Sequence, residues 1–272
     1  QPGKVKVDDA HCFTGLDAYH KVIQSGVDVV VLATPPGFRP VHFKAAVDAG
    51  KHVFCEKPMA TDAPGVRSVM ASVEEARKKN VAVVAGFCWR YHQARREFFK
   101  RVHNGAIGDL KAIYATYYTG PVKPMPPADR RPPGATDLEW QMRNWYNFVW
   151  LCGDGLVEQA VHSVDKIAWA MQDVPPLKAV AVGGRQIPNN EGNIYDHIEV
   201  NYEYANGARA FMGCRQQTGC HNQNADYLMG TKGNGTIGVN RRADVEITGE
   251  QAWIHEGPVK DMYHVEHDEL FA

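Results

Sequence analysis

Two groups of residues in this chain have the types and spacing for chemistry on a small polar molecule. The first is Glu56-Lys57-Pro58, which ends the apolar run Val53-Phe54-Cys55. A lysine ammonium can donate a hydrogen bond to an oxygen and stabilise negative charge as it develops there. Pro58 biases Lys57 toward an extended backbone, so the ammonium is aimed. The second group is Glu158, His162 and Asp165. Read as one helix, Glu158 and His162 stand at i and i+4 and share a face, with Asp165 on roughly the same side. An imidazole can take a proton at neutral pH, and a neighbouring carboxylate can orient the ring and favour its protonated form. Either motif alone is most often a solvated pair, so its weight comes from the flanks.

Those flanks alternate between two periods. Residues 28–34 are a near-continuous apolar strand that ends in Pro35-Pro36-Gly37. A helix follows over 38–49, with His42 near its start and Gly50 at its end. Residues 52–55 are a second short strand, which delivers Glu56-Lys57-Pro58. Thr61 and Asp62 can cap a helix to about Lys79, with Val66, Val69, Met70, Val73 and Ala76 at helical spacing. Residues 81–85 give a third strand, and one more helix, over 16–25, precedes the first. Apolar strands separated by helices predict a parallel sheet covered on both faces. Such sheets bind ligands beyond the carboxyl ends of their strands, where Lys57 emerges.

After residue 88 the pattern changes, and the domain boundary is placed there, giving domains 1–88 and 89–272. A basic helix over 93–104 leads to a strand over 110–118. Residues 119–136, rich in Pro, Arg and Gly, read as a lid, an oligomer arm or a disordered excursion. Strand-like segments follow at 178–183, 195–204, 208–216, 226–229 and 243–248. Alternation such as Ile198, Val200 and Tyr202 predicts a largely antiparallel sheet with one face packed on helices of residues 140–171. The glycine-rich Gly230-Thr-Lys-Gly-Asn-Gly-Thr-Ile237 has strand-like text on both sides and no helix after it. It reads as a β-hairpin turn whose glycines take positive φ.

The segments Ala33-Thr-Pro-Pro36, His42, Ala49-Gly-Lys-His-Val-Phe-Cys-Glu-Lys-Pro58 and Glu158-Gln-Ala-Val-His162-Ser-Val-Asp165 resemble the glucose–fructose oxidoreductase, inositol dehydrogenase and MocA (Gfo/Idh/MocA) family over most of the chain. The resemblance implies an α/β fold: a Rossmann-like parallel sheet followed by an α+β domain with a large, mainly antiparallel sheet. It implies an oxidoreductase using NAD or NADP to transfer a hydride to or from a secondary alcohol of a sugar, polyol or related carbohydrate. Under it, Thr34, Pro35, Pro36, His42, Glu56, Lys57 and Pro58 contact the cofactor, and Lys57, His162 and Glu158 are catalytic. A cis bond between Lys57 and Pro58 is expected with it. The family usually has Asp where this chain has Glu158, so the charge is kept on a longer arm. Arg90, Arg143, Asn144 and Asp165 are candidates for substrate hydroxyls, and Trp89, Trp140, Trp145 and Tyr146 for stacking on a pyranose.

Alcohol oxidation removes a hydride from carbon and a proton from oxygen, and the protein supplies positioning and electrostatics. The residues leave open whether Lys57 or His162 accepts the proton; His162 is favoured, with Lys57 as electrostatic stabiliser and cofactor-ribose contact. Both are expected to face one cleft. The family also reaches glycosidases that oxidise a sugar transiently with bound NAD, and non-catalytic sugar or cofactor sensors. Retention of Lys57 and His162 argues against the sensors.

No Gly-x-Gly-x-x-Gly turn with an acidic residue about 20 positions later precedes the first strand. The chain therefore reads as an internal fragment, a truncated Rossmann sheet that keeps the nicotinamide and substrate half of the site. With 272 residues, 44% hydrophobic, it has material for a core, and no apolar run approaches a membrane span. A net charge of −1 with scattered Lys and Arg recommends neither nucleic acid nor a membrane as partner. The six cysteines lack Cys-x-x-Cys pairs and read as buried thiols. Neither Cys214, Cys220 and His221 nor His255, His264 and His267 has zinc spacing, so no metal is expected. The expected partners are a carbohydrate-like small molecule and further copies of the chain through the C-terminal sheet. The expected location is cytoplasmic, with an export signal upstream of Gln1 left open.

Overall fold

The computed structural model describes residues 2–239 and 244–272, so Ala243 of the strand expected over 243–248 lies outside the described residues, as does Gln1. The chain divides into two compact units, Gln1–Gly86 and Phe87–Ala272.

In the first unit α1 (Ala18–Gln24), β1 (Val29–Leu32), α2 (Arg39–Asp48), β2 (His52–Cys55), α3 (Ala63–Lys78) and β3 (Val83–Ala85) alternate along the chain. The strands lie side by side in that order and both pairs are parallel, with Val30 opposite Val53 and Leu32 opposite Cys55. Local chemistry sets the boundaries. Gly50 turns the chain after α2 with φ +71°. The Asp62 carboxylate caps α3 by accepting the Gly65 N–H at 2.7 Å. One face of the sheet, through Val30, Leu32, Val53 and Cys55, packs on Phe43, Ala46 and Val47 of α2 and on Val69 and Ala76 of α3.

Cover on both faces holds for β2, whose Val53, Phe54 and Cys55 are all buried, but not for β1, where Val31 is 64% exposed. The buried stripe of α3 is also narrower than its spacing suggests. It runs through Val69, Ser72 and Ala76, while Val66 and Met70 face solvent.

The second unit continues with α4 (Gln93–His103), β4 (Leu110–Thr119), α5 (Asp137–Arg143), α6 (Val149–Cys152), α7 (Asp154–Glu158) and α8 (Val161–Ala170). Then come β5 (Lys178–Gly184), β6 (His197–Glu203), β7 (Arg209–Gln216), β8 (Gln223–Gly230), β9 (Gly233–Ile237), β10 (Val245–Gly249), β11 (Trp253–Ile254) and α9 (Met262–Phe271). These strands form one sheet in the order β11-β10-β9-β8-β4-β7-β6-β5. β4 and β7 are parallel and the other pairs antiparallel. The inner face, with Ile113, Ala115, Val200, Ala210, Met212 and Leu228, packs on Phe98 and Phe99 of α4 and on Ile167 and Ala170 of α8. The basic helix α4 thus covers the sheet together with α8. The outer face leaves Val180, Val182, Phe211 and Met229 exposed.

β8 and β9 form the expected hairpin around Thr231-Lys232, but its glycines are there for a different reason. Gly230, Gly233 and Gly235 are not among the positive-φ glycines. Their space is taken: a Cβ on Gly230 would sit 2.0 Å from the Ile107 carbonyl oxygen, on Gly233 2.2 Å from that of Thr248, and on Gly235 2.5 Å from the Phe98 ring. Crowding of this kind typically costs about 1–3 kcal/mol. Gly230→Ala should therefore destabilise the C-terminal unit at the upper end of that range, and Gly235→Ala less, because a ring yields more readily than backbone. Gly120→Ala, with open space around it, is the neutral control. Urea unfolding of the three variants checks the order.

Candidate functional site

In the N-terminal unit the candidate cofactor residues leave the carboxyl ends of adjacent parallel strands. Thr34-Pro35-Pro36 follows β1 and Glu56-Lys57-Pro58 follows β2. The Lys57–Pro58 peptide bond is cis. The Glu56 carboxylate accepts the Lys57 backbone N–H at 3.2 Å. A Cβ on Gly86, just beyond β3, would come within 2.9 Å of that carboxylate, so glycine is what lets Glu56 lie there.

A residue that sequence reasoning missed joins these segments. Arg39, 2% exposed, donates from Nη1 to the Pro58 carbonyl at 2.6 Å and from Nη2 to the Thr34 carbonyl. Its only sequence signal is a cation beside Pro40 at the start of α2, which reads equally well as solvated. His42 lies one turn along α2. Its Nδ1 is 3.2 Å from Thr34 Oγ1, and its ring stacks on Tyr19 at 4.4 Å and Phe38 at 5.9 Å. Burial, with smaller contributions from Arg39 and His20, holds the His42 imidazole below its ordinary value.

In the C-terminal unit Glu158 and His162 do not share a continuous helix. Glu158 closes α7 and His162 belongs to α8. Between them the four-residue ladder breaks: the Ala160 N–H donates to the Gly155 carbonyl and the His162 N–H to the Gln159 carbonyl. Tertiary contacts hold the break. Ala160 is fully buried, and the Tyr117 hydroxyl donates to Gln159 Oε1 at 2.9 Å. The i, i+4 premise therefore fails at this pair, although both residues remain at the α7–α8 junction. Glu158 is buried at 6% exposure. The His162 ring lies 4.9 Å from the Trp89 ring and edge-on to Phe87 at 6.4 Å.

The expected substrate residues are engaged elsewhere. Arg90 Nε lies 3.0 Å from both carboxylate oxygens of Asp165, and its Nη2 donates to Asp173 at 2.7 Å. Arg90 and Asp165 thus answer each other, and they tie the Cys88–Tyr91 turn to α8. Arg143 makes an exposed pair with Glu139 at 2.8 Å, one turn back on α5. Asn144 is buried and donates to the Trp140 carbonyl at 3.0 Å, closing the end of α5. The aromatics do not gather into one platform. Trp140 is buried and donates from Nε1 to Glu191 at 2.7 Å, and Trp89 belongs with His162.

Tyr146 instead lines a cavity of about 130 Å³ together with Lys123, Asn147, Arg185, Tyr195 and Gln216. Gln216 Nε2 donates to the Tyr146 hydroxyl at 2.7 Å and lies where a Cβ on Gly155 of α7 would come within 2.8 Å. Burial raises the Tyr146 phenol against that hydrogen bond, and the Glu158 charge adds to the rise. Burial also pushes the thiols of Cys55, Cys152 and Cys214 up to about 12, which leaves them inert. No group of three or more His, Cys, Asp or Glu gathers as for a metal among the described residues, and no described helix is long and apolar enough to cross a membrane.

Parallel βα units that present polar loops at their strand ends, and an α+β unit on a large mixed sheet, define an α/β architecture of two compact units. Residues 5–87 match the family model for the oxidoreductase family with an NAD-binding Rossmann fold, and residues 96–236 match the GFO/IDH/MocA C-terminal domain. The chain belongs to the GFO/IDH/MocA oxidoreductase family. It is 23% identical to inositol 2-dehydrogenase of Rhizobium meliloti, over 90% of this chain and 67% of the relative. It is 24% identical to levoglucosan dehydrogenase of Pseudarthrobacter phenanthrenivorans, over 81% of this chain and 58% of the relative. The chain thus spans about three fifths to two thirds of these two curated relatives.

Among solved structures, aldose-aldose oxidoreductase from Caulobacter crescentus, complexed with glycerol, superposes with a TM-score of 0.72 at 20% identity, covering 94% of this chain and 71% of that one. Levoglucosan dehydrogenase in complex with NADH and levoglucosan gives 0.69 at 22%, covering 87% and 62%. At these identities the structural likeness speaks for the fold.

The depressed His42 value has a consequence for stability. Because the folded value lies below the unfolded one, near 6.5, its contribution is present above that pH and is lost as pH falls through the folded value. Urea unfolding of the N-terminal unit between roughly pH 8 and pH 5 should show this loss, and His42→Gln should flatten it.

Proposed function

We propose that this chain serves an NAD- or NADP-dependent oxidoreductase acting on a secondary alcohol of a sugar, polyol or related carbohydrate. The observation that carries the reading is the pair of loops at the ends of β1 and β2, bridged by buried Arg39, in a chain of this family. The residues fit a cofactor. Thr34, Pro35, Pro36, His42, Glu56, Lys57 and Pro58 would hold it where open sheets bind ligands. When bound, NAD or NADP supplies the hydride acceptor.

The remaining chemistry falls to side chains. His162 takes the hydroxyl proton and returns it in the reverse direction. The Glu158 carboxylate, buried at the α7–α8 junction, favours the charged imidazole in the transition state. Lys57 donates to the alcohol oxygen and stabilises its developing charge. Hydrogen-bonding groups in the cavity beside α7, from Tyr146, Asn147 and Gln216, suit a polyhydroxylated ligand. The names of the two curated relatives support a polyol or sugar as substrate. Exposed Val180, Val182, Phe211 and Met229 support self-association through the outer face of the large sheet.

The test uses the full-length protein with NAD or NADP and a panel of polyols and pyranoses. Reduced nicotinamide should accumulate with substrate. His162→Ala should lower kcat by about 10²–10⁴-fold, the usual worth of a positioned acid/base. Lys57→Ala should lower it by about 10²–10³-fold, as loss of one oxyanion donor does. Circular dichroism should show the fold intact in both. Cleavage of an aryl glycoside without net nicotinamide reduction would assign a glycosidase instead.

A further inference from the structure

Turn Cys88–Tyr91 is gripped by one stripe of α8. His162, Asp165, Lys166 and Trp169 stand at i, i+3, i+4 and i+7 on a helix that runs unbroken from Val161 to Ala170, so they share a face. All four meet the turn. Asp165 holds the Arg90 guanidinium, which also lies 5.3 Å from the Trp169 ring. Lys166 Nζ lies 4.2 Å from the Trp89 ring, and the His162 ring 4.9 Å from it.

A second cation reaches the same indole from α4: the Arg95 guanidinium lies 4.4 Å from the Trp89 ring. Neither cation can drift. Lys166, 3% exposed, is paired with Asp226 of β8, itself 1% exposed. Arg95, 8% exposed, forms a two-pronged pair with Asp244 at 2.7 and 2.8 Å. Burying charge in this way is unfavourable unless each group is paired, so the arrangement holds only with all four partners in place. Cations over an indole face are attracted to its quadrupole and fix the plane of the ring.

From this we infer that Trp89 is the positioning residue for the His162 imidazole, and that Lys166 and Arg95 are the clamps that fix its indole. The inference rests on the reading of His162 as acid/base in one respect only, the consequence for turnover; the orientation of the ring is a separate matter. A histidine side chain has several staggered χ1 wells open to it. An indole fixed by two buried cations narrows that choice before substrate arrives, which is preorganisation.

The experiment is NMR of the full-length protein labelled at histidine, with the His162 ring signals assigned through His162→Gln, together with steady-state kinetics. In the unsubstituted protein the His162 ring protons should show the ring-current displacement of a fixed indole neighbour. Trp89→Leu should remove it and lower kcat by roughly 10- to 100-fold, the scale of a misplacement of about 1 Å, with KM little changed. Trp89→Phe should restore most of both.

Lys166→Met combined with Asp226→Leu removes one of the two clamps, with Arg95 still in place, and leaves no charge unpaired. It should broaden or double the His162 signals with Trp89 still present. This double variant decides the matter if Trp89→Leu fails to fold. Unchanged His162 signals in either variant overturn the inference, as does a loss of kcat equal in Trp89→Phe and Trp89→Leu. If the ring signals move while turnover stays constant, positioning stands and the acid/base reading of His162 falls.

Discussion

A buried guanidinium holds together the edge of the N-terminal unit from which its chemistry would be done. Arg39 is almost fully removed from water, and a cation there is tolerated only if its donors find acceptors. The acceptors are two backbone carbonyls, Thr34 after β1 and Pro58 after β2. Each loop alone would be a surface connection with its own freedom. Tied to one planar donor fork, they become a single shaped rim above two parallel strands. The packing underneath supports this: Phe43, Ala46 and Val47 seat α2 on Val30, Leu32, Val53 and Cys55, which places Arg39 at the helix start within reach of both carbonyls.

The C-terminal unit solves a similar problem with different parts. Its candidate acid/base sits at the start of a short helix whose predecessor ends in a buried carboxylate. The broken ladder between Glu158 and His162 is held by packing of Ala160 and by the Tyr117 hydroxyl on Gln159, which ties the α7–α8 junction to β4. Two residues expected at the substrate, Arg90 and Asp165, are ion-paired in the structure. Arg90, Asp165, Asp173, Arg95 and Asp244 pair among themselves and lock the Cys88–Tyr91 turn beside α8.

Much of this was legible in the residues. The apolar runs in 28–34 and 81–85, with Gly50 and Asp62 marking helix ends, were legible as strands of a parallel sheet, but the two-sided cover inferred from them holds only for the strand between, β2. The hairpin after β8 was legible too, but the cause assigned to its glycines was not the operative one. Close approach of Ile107, Thr248 and Phe98 is tertiary information that a local turn rule does not contain. The break at Gln159-Ala160 left no trace because neither residue is Gly or Pro, and four-residue spacing alone implied one helix. Arg39, Lys166 and Gln216 were missed for a common reason: a polar residue becomes conspicuous only when the fold buries it. Arg90 and Asp165 were recognised as important, but their partners, 75 positions apart, were not visible.

The central claim is that His162 takes the substrate proton while Lys57 stabilises the charge on oxygen. The pH dependence of kcat/KM for alcohol oxidation by the full-length enzyme tests it most directly, measured for the unsubstituted protein, His162→Gln and Lys57→Met. The account predicts a loss of rate on the acid side, as the imidazole becomes protonated in the free enzyme, that persists in Lys57→Met at lower overall rate and disappears in His162→Gln. An acid limb unchanged in His162→Gln but abolished in Lys57→Met would contradict it and move the proton to the lysine.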